Sequence, residues 1–131
     1  MATNRELVLA SIGAIQQGDL DRGLKDWAED VVLINNAGAA GSEGTWYGPD
    51  GFRAWLRDVT MALADYRMDV LDAQDAGDTV IVTFRETARG PASGIVVGRR
   101  VQVTYTVRRG KIARVESWGL GDHPSSIECE T

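Results

Sequence analysis

The chain has 131 residues, 44% of them hydrophobic and 25% charged, which is the size and balance of one globular domain with its own core. Its net charge of -5, from 19 acidic against 14 basic side chains, argues against nucleic acid, because Arg99-Arg100 and Arg108-Arg109 are isolated pairs and no basic cluster offsets the deficit. No apolar run of about 18 residues could span a membrane, no basic region leads an apolar signal segment, and the one cysteine, Cys129, excludes an internal disulfide and fits a reducing cytoplasm.

In chain order, Thr3 or Asn4 can cap a helix running to Gln17, with Leu7, Ile12 and Ile15 buried and Gly18 as its stop. Asp19-Leu20-Asp21 opens a second helix through Ala28 that buries Leu24 and Trp27, and Val31 to Ile34 reads as a short strand. Residues 36–44 form a Gly/Ala/Ser loop, with Glu43 on it, before Trp46-Tyr47-Gly48-Pro49 rejoins the body. Asp50 caps a third helix, Gly51 to Leu63, whose apolar stripe is Phe52, Trp55, Leu56, Val59 and Leu63.

The second half is strand-rich. Tyr66 to Ala73 alternates, DTVIVTFRETA follows, Gly94 to Arg99 suggests a bulge or bend, and Val101 to Trp118 is a hairpin turning at Arg109-Gly110. Residues 123–131 lack periodicity and read as a flexible tail on a domain of residues 1–122. Strands stacked after amphipathic helices define an α+β fold, an antiparallel sheet covered by helices from the first half.

Alternation divides the strands into two sets. Ile81, Thr83, Arg85 and Thr87 share a face, as do Gln102, Thr104 and Thr106; the other face carries Val80, Val82, Phe84, Val101, Val103, Tyr105 and Val107. Periodicity alone favours the apolar set as core, which would turn Glu86, Arg114 and Glu116 inward as the ionisable residues. There is no GxGxxG, P-loop, HExxH or CxxC, and the single histidine, His123, sits in the tail. The chain therefore implies no metal or cofactor.

Several segments carry a resemblance: Gln17-Gly18-Asp19-Leu20-Asp21, Trp27-Ala28-Glu29-Asp30-Val31, Gly44-Thr45-Trp46-Tyr47-Gly48, the helix around Phe52 and Trp55, Ser93-Gly94, and Val107-Arg108-Arg109-Gly110-Lys111-Ile112. In order and spacing they resemble the SnoaL-like branch of the NTF2-like superfamily over roughly residues 5 to 120. That resemblance implies a cone, a curved antiparallel sheet wrapped around three N-terminal helices, with a pocket at its open end and dimerisation through the sheet. It turns the polar strand set inward, leaving Val101, Val103 and Tyr105 to be covered by a second copy.

Carried over residue by residue, the resemblance removes several chemistries. The steroid isomerases' tyrosine donor falls on Ser11, their aspartate base on Asn35 and their second acid near Gln102 or Thr104; the cyclases' aspartate falls on Ser117. Compared with limonene-type epoxide hydrolases, Asn35 and Arg85 are retained, the two aspartates fall on Thr87 and Ser117, and the tyrosine on Leu33. An amide or hydroxyl cannot take the proton that a carboxylate takes.

The expected site therefore has Asn35, Arg85, Glu86 and Glu116 as catalytic candidates, with Trp46, Tyr47, Thr83, Thr87, Gln102, Thr104 and Ser117 around the ligand. Arg85 is the sharpest of these expectations, since a guanidinium inside a cone needs an oxygen partner and the aligned aspartates are missing. The expected partners are a small hydrophobic, oxygenated molecule and a second copy of the chain, a homodimer through the sheet. The expected activity is that of a cofactor-independent isomerase, cyclase or hydrolase of bacterial secondary metabolism. The competing expectation is a non-catalytic binding or dimerisation domain.

Overall fold

Thr3 fixes where the chain first becomes helical. Its hydroxyl accepts from the Glu6 N–H at 3.1 Å, while the Glu6 carboxylate accepts from the Thr3 N–H at 2.9 Å, closing a capping box at the start of α1, Asn4–Gln16. The computed structural model describes residues 3–36, 43–89 and 96–120. The tail, with His123 and Cys129, the bend at Gly94 and the tip of the loop at 37–42 lie outside them. Gly18 ends the first helical segment at a φ of 83°, and α2 follows as a short helix, Leu20–Leu24, capped by the Asp19 side chain.

The second helix is shorter than its pattern suggests, because Asp26 and Trp27 are already committed to the sheet. The Ile112 N–H donates to the Asp26 carbonyl at 2.8 Å, and Trp27 opens β1, Trp27–Asn35. After β2, Gly44–Tyr47, the third helix α3 starts at Gly48 and runs to Ala62, earlier than an Asp50 cap would place it. Pro49 fits the first turn, where its missing N–H would have no partner in any case. Four long strands follow: β3, Ala64–Ala76; β4, Thr79–Arg89; β5, Val96–Arg108; and β6, Lys111–Leu120. β5 runs regularly through Gly98 and Arg99, where a break was expected, and pairs with β4 from Val96 onward. Its hairpin with β6 turns at Arg109 and Gly110, both at positive φ (53° and 73°), the geometry that matches strand twist.

The result is an α+β fold with one six-stranded curved sheet in the order β2-β1-β6-β5-β4-β3 and, among the described residues, three helices. Only two helices precede the first strand; the third follows β2, so the picture of three N-terminal helices is matched in part. All neighbouring strands are antiparallel except β1 and β6.

The helices lie against the apolar strand set. Val80, Val82, Phe84, Val101, Val103, Tyr105 and Val107 are all buried, together with Val8 and Ile12 of α1 and Phe52 and Val59 of α3. This corrects the inward assignment of the polar set: Thr83, Arg85, Thr87, Gln102 and Thr104 face away from the helices and are partly exposed. The reason is the size of the hydrophobic term, about 1.5–3 kcal/mol for each large apolar side chain removed from water, which hydroxyls and amides on the opposite face cannot match. The argument that Val101, Val103 and Tyr105 require a second copy to cover them falls with it.

One buried relay locks the helices to the sheet. The Ser11 hydroxyl donates to the Gly23 carbonyl at 2.7 Å and accepts from the Trp27 indole N–H at 2.8 Å, joining α1, α2 and β1. Ser11 is 6% exposed, so neither partner has water to replace it. Ser11→Ala is expected to destabilise the protein by about 1–3 kcal/mol, the penalty for stranding buried polar groups. Urea unfolding followed by circular dichroism measures it, and an unchanged midpoint would show the relay to be dispensable.

Candidate functional site

Between the helices and the sheet the structure encloses a cavity of about 650 Å³. One wall is aromatic, built from Trp27 at the start of β1 and from Phe52 and Trp55 of α3. Trp27 stacks at a tilt on Phe52, with centroids 4.9 Å apart, and Phe52 on Trp55, 5.6 Å apart. Leu56 of α3 and Ile12 and Ile15 of α1 continue this wall, and Phe84, Val101, Val103 and Val115 face it from the sheet. The Trp55 indole N–H is buried and has no hydrogen-bond partner among the described residues.

Polar groups enter this apolar space at defined points. Strand register sets Glu86 of β4 directly opposite Arg99 of β5, with Met68 of β3 on its other side. Parity turns Glu86 inward, in the set of Val82 and Phe84, and leaves it 8% exposed. A carboxylate there needs charged and hydrogen-bonded company. The Arg99 Nε donates to Oε1 at 2.6 Å and the Tyr66 hydroxyl to Oε2 at 2.6 Å. Asp65, in the left-handed region at a φ of 51° and ion-paired with Arg89 at 3.3 Å, turns the chain just before Tyr66 enters the wall.

A second polar point lies where β1 and β6 run in parallel. Asn35 is paired in register with Ser117, whose hydroxyl donates to the Asn35 Oδ1 at 2.7 Å. The third is Tyr105, 7% exposed on the cavity wall; among the described residues nothing shares a hydrogen bond with its hydroxyl. Burial pushes the Tyr105 phenol far up from its ordinary value. Burial foremost, then the charge and the hydrogen bond of Glu86, do the same to Tyr66, and Tyr105 adds to the shift. Both phenols therefore stay protonated as donors throughout the neutral range.

Of the residues expected at the site, Asn35, Glu86 and Ser117 are on the cavity wall. Arg85, Thr83, Thr87, Gln102 and Thr104 are on the outer face, with the Arg85 guanidinium lying over Gly98, where an added Cβ would stand 3.7 Å from Nη1. The expectation that Arg85 anchors a ligand inside the cone is corrected accordingly. Glu116 is also on the outer side, accepting from Arg114 at 3.0 Å and from Asn36 at 3.3 Å. Trp46 packs against the core without reaching the cavity, and Tyr47 is 71% exposed, at the N-terminus of α3.

The residues missed are Tyr66, Arg99 and Tyr105, and Trp55 was read only as core. Glu86 and Arg99 interrupt the apolar parity of Val82-x-Phe84 and Val101-x-Val103, and that interruption was the available signal. Among the described residues no group of three or more His, Cys, Asp or Glu side chains gathers, and no helix is long and apolar enough to cross a membrane.

The chain is thus a curved sheet closed by helices over an apolar pocket with a few buried polar groups. The SnoaL-like domain model matches residues 8–115, and the chain belongs to that family. No curated protein sequence matches it. Among solved structures, an NTF2-like protein of Burkholderia thailandensis is 23% identical, with 99% of this chain and 97% of that one covered and a TM-score of 0.85. TerC, crystallised with polyporic acid, is 23% identical over 93% and 95% of the two chains, with a TM-score of 0.78. A putative polyketide cyclase of Sinorhizobium meliloti is 22% identical over 85% and 92%, with a TM-score of 0.66. At such identities the likeness is one of fold.

The raised phenols have a consequence for alkaline stability. An unfolded tyrosine ionises near pH ~10, whereas Tyr66 and Tyr105 resist ionisation in the folded chain. Their contribution to stability is complete below pH ~10 and is lost progressively above it, because the unfolded state then releases protons that the folded state retains. In a titration with base, their phenolate absorbance is expected to appear together with the loss of the far-ultraviolet circular dichroism signal. Full phenolate absorbance on a still-folded protein would contradict their burial.

Proposed function

We propose that the protein binds a small, largely apolar molecule bearing oxygen in the cavity between helices and sheet. The observation that carries this reading is the cavity itself: about 650 Å³ of aromatic and aliphatic wall holding a buried Glu86, with Tyr66 beside it. Such a pocket has the size and character of a ligand site. We further propose that Glu86 and Tyr66 exchange a proton with the bound molecule in a cofactor-independent isomerase-, cyclase- or hydrolase-type reaction. Bacterial secondary metabolism, in the cytoplasm, is the setting we assign to it, and the fold shared with a putative polyketide cyclase supports that choice.

A second reading, binding without chemistry, draws on one observation: both Glu86 oxygens already accept a 2.6 Å hydrogen bond. Polyporic acid, the molecule crystallised with TerC, serves as a probe for either. Calorimetry is expected to show saturable binding by the wild type and at least a ten-fold loss in Met68→Trp, which fills the partly buried rim. Heat that does not saturate, or is the same in the variant, would sink the pocket reading. Glu86→Gln tests the catalytic version: it is expected to abolish turnover of any ligand the pocket converts while keeping binding, and unchanged turnover would remove Glu86 from the chemistry.

We also propose a homodimer through the outer face of the sheet. Its support is Trp118, 39% exposed opposite Gln102 on a face of partly exposed threonine and arginine side chains. Sedimentation is expected to give a dimer for the wild type and a monomer for Trp118→Glu. A wild-type monomer at micromolar concentration would refute it.

A further inference from the structure

We infer that the cavity selects a ligand that brings a hydroxyl hydrogen to it, an alcohol or phenol before its ether or the matching carboxylate, and that Glu86, Tyr66 and Ser117 are the acceptors that read it; this rests on the cavity being the binding site. All three side chains line the cavity, and their own hydrogens are already committed elsewhere. The Tyr66 hydroxyl donates to Glu86 Oε2 and the Ser117 hydroxyl to Asn35 Oδ1. While those bonds stand, each hydroxyl oxygen can only accept from a newcomer. Glu86, ion-paired with Arg99, has no hydrogen to give. Arg99 and Tyr66 take one acceptor site on each of its oxygens, and a carboxylate has roughly four. Tyr105, also on the wall, does not discriminate, because a phenol donates or accepts as the ligand requires.

The charges around the cavity work in the same direction. The Glu86 carboxylate is on the wall, whereas Arg99, which neutralises it at 2.6 Å, is not among the residues that line it. Arg67 and Asp69 line the cavity at exposed positions and answer each other at 3.0 Å. Each cation near the cavity is thus matched to a carboxylate of the protein. An ether or carboxylate oxygen set against Glu86, Tyr66 or Ser117 would bring lone pairs to lone pairs. A carboxylate adds like-charge repulsion, which an apolar space screens poorly. A hydroxyl instead makes a charge-assisted hydrogen bond to Glu86. The tilted tier of Trp27, Phe52 and Trp55 holds the apolar part of any of these ligands, so the choice among them falls to the acceptors.

Three probes on one two-ring frame test this at neutral pH: naphthol, methoxynaphthalene and naphthoate, all substituted at ring position two and measured by equilibrium dialysis against the full chain. The wild type is expected to bind naphthol about ten-fold more tightly than the ether, the scale of one net hydrogen bond, and naphthoate most weakly of all. Glu86→Gln removes the charge and exchanges an acceptor oxygen for an N–H donor. It is expected to bind the ether at least as tightly as before and to lose most of the naphthol preference. It is also expected to bind naphthoate about ten-fold more tightly than the wild type does, a gain that a damaged fold cannot produce. A thermal melt shows whether the variant is folded, and if it is not, the wild-type ranking decides alone. The acceptor assignment falls, while the pocket reading stands, if the ether or naphthoate binds the wild type as tightly as naphthol. It falls equally if the folded variant keeps the wild-type ranking, or if polyporic acid binds and naphthol does not. If neither the naphthalenes nor polyporic acid binds, the pocket reading fails and takes the acceptors with it.

Discussion

A carboxylate inside an apolar cone must be met by a cation, and the architecture around Glu86 follows from that demand. The idealised cost of moving such an ion out of water is on the order of 20 kcal/mol, reduced to several in a real protein by relaxation and partners. Arg99 supplies the charge from the next strand and Tyr66 a second hydrogen bond from the entrance of β3. Both depend on register: a slip of one residue between β4 and β5 would carry Glu86 away from Arg99 and turn every apolar side chain of one strand to the outside. The ion pair and the hydrophobic face therefore enforce the same pairing. Removing Arg99 alone would leave the charge stranded, a loss of about 3–5 kcal/mol.

Much of the fold was legible in the chain because its signals are local. The Thr3 cap, the stop at Gly18, the α3 stripe and the Arg109-Gly110 turn each rest on a few adjacent residues. The family was legible through the order of short motifs, and its model spans residues 8–115. Element ends were less so: α2 stops at Leu24 because Asp26 and Trp27 are claimed by β6, a partner far along the chain that no local pattern reveals.

The site was legible only in part, and the error has a definite form. Asn35 and Ser117 were placed on the cavity wall, yet Arg85 and Thr87 were assigned inward with them on the strength of the resemblance. Alternation had already said otherwise, since Arg85 and Thr87 cannot share a side with Phe84. An alignment of distant relatives can be wrong by one residue without disturbing any motif, and in a strand one residue is the difference between pocket and surface. Tyr66 and Arg99 were invisible for another reason. Their importance lies in meeting Glu86 across strands, and register between strands is a property of the folded sheet.

The one parallel contact in the sheet has a kinetic consequence. β3, β4, β5 and β6 follow one another and can pair largely as neighbours in the chain, whereas β1 reaches β6 only across most of the sequence; Asn35 and Ser117 are 82 residues apart. Closing that long loop costs entropy before any contact repays it, so this seam is expected to close last. The cavity has no wall on that side until the seam closes. A nascent chain therefore gains its pocket only after β6 has been synthesised and β1 has docked on it, and a bound ligand would act as a late clasp between the two ends of the domain.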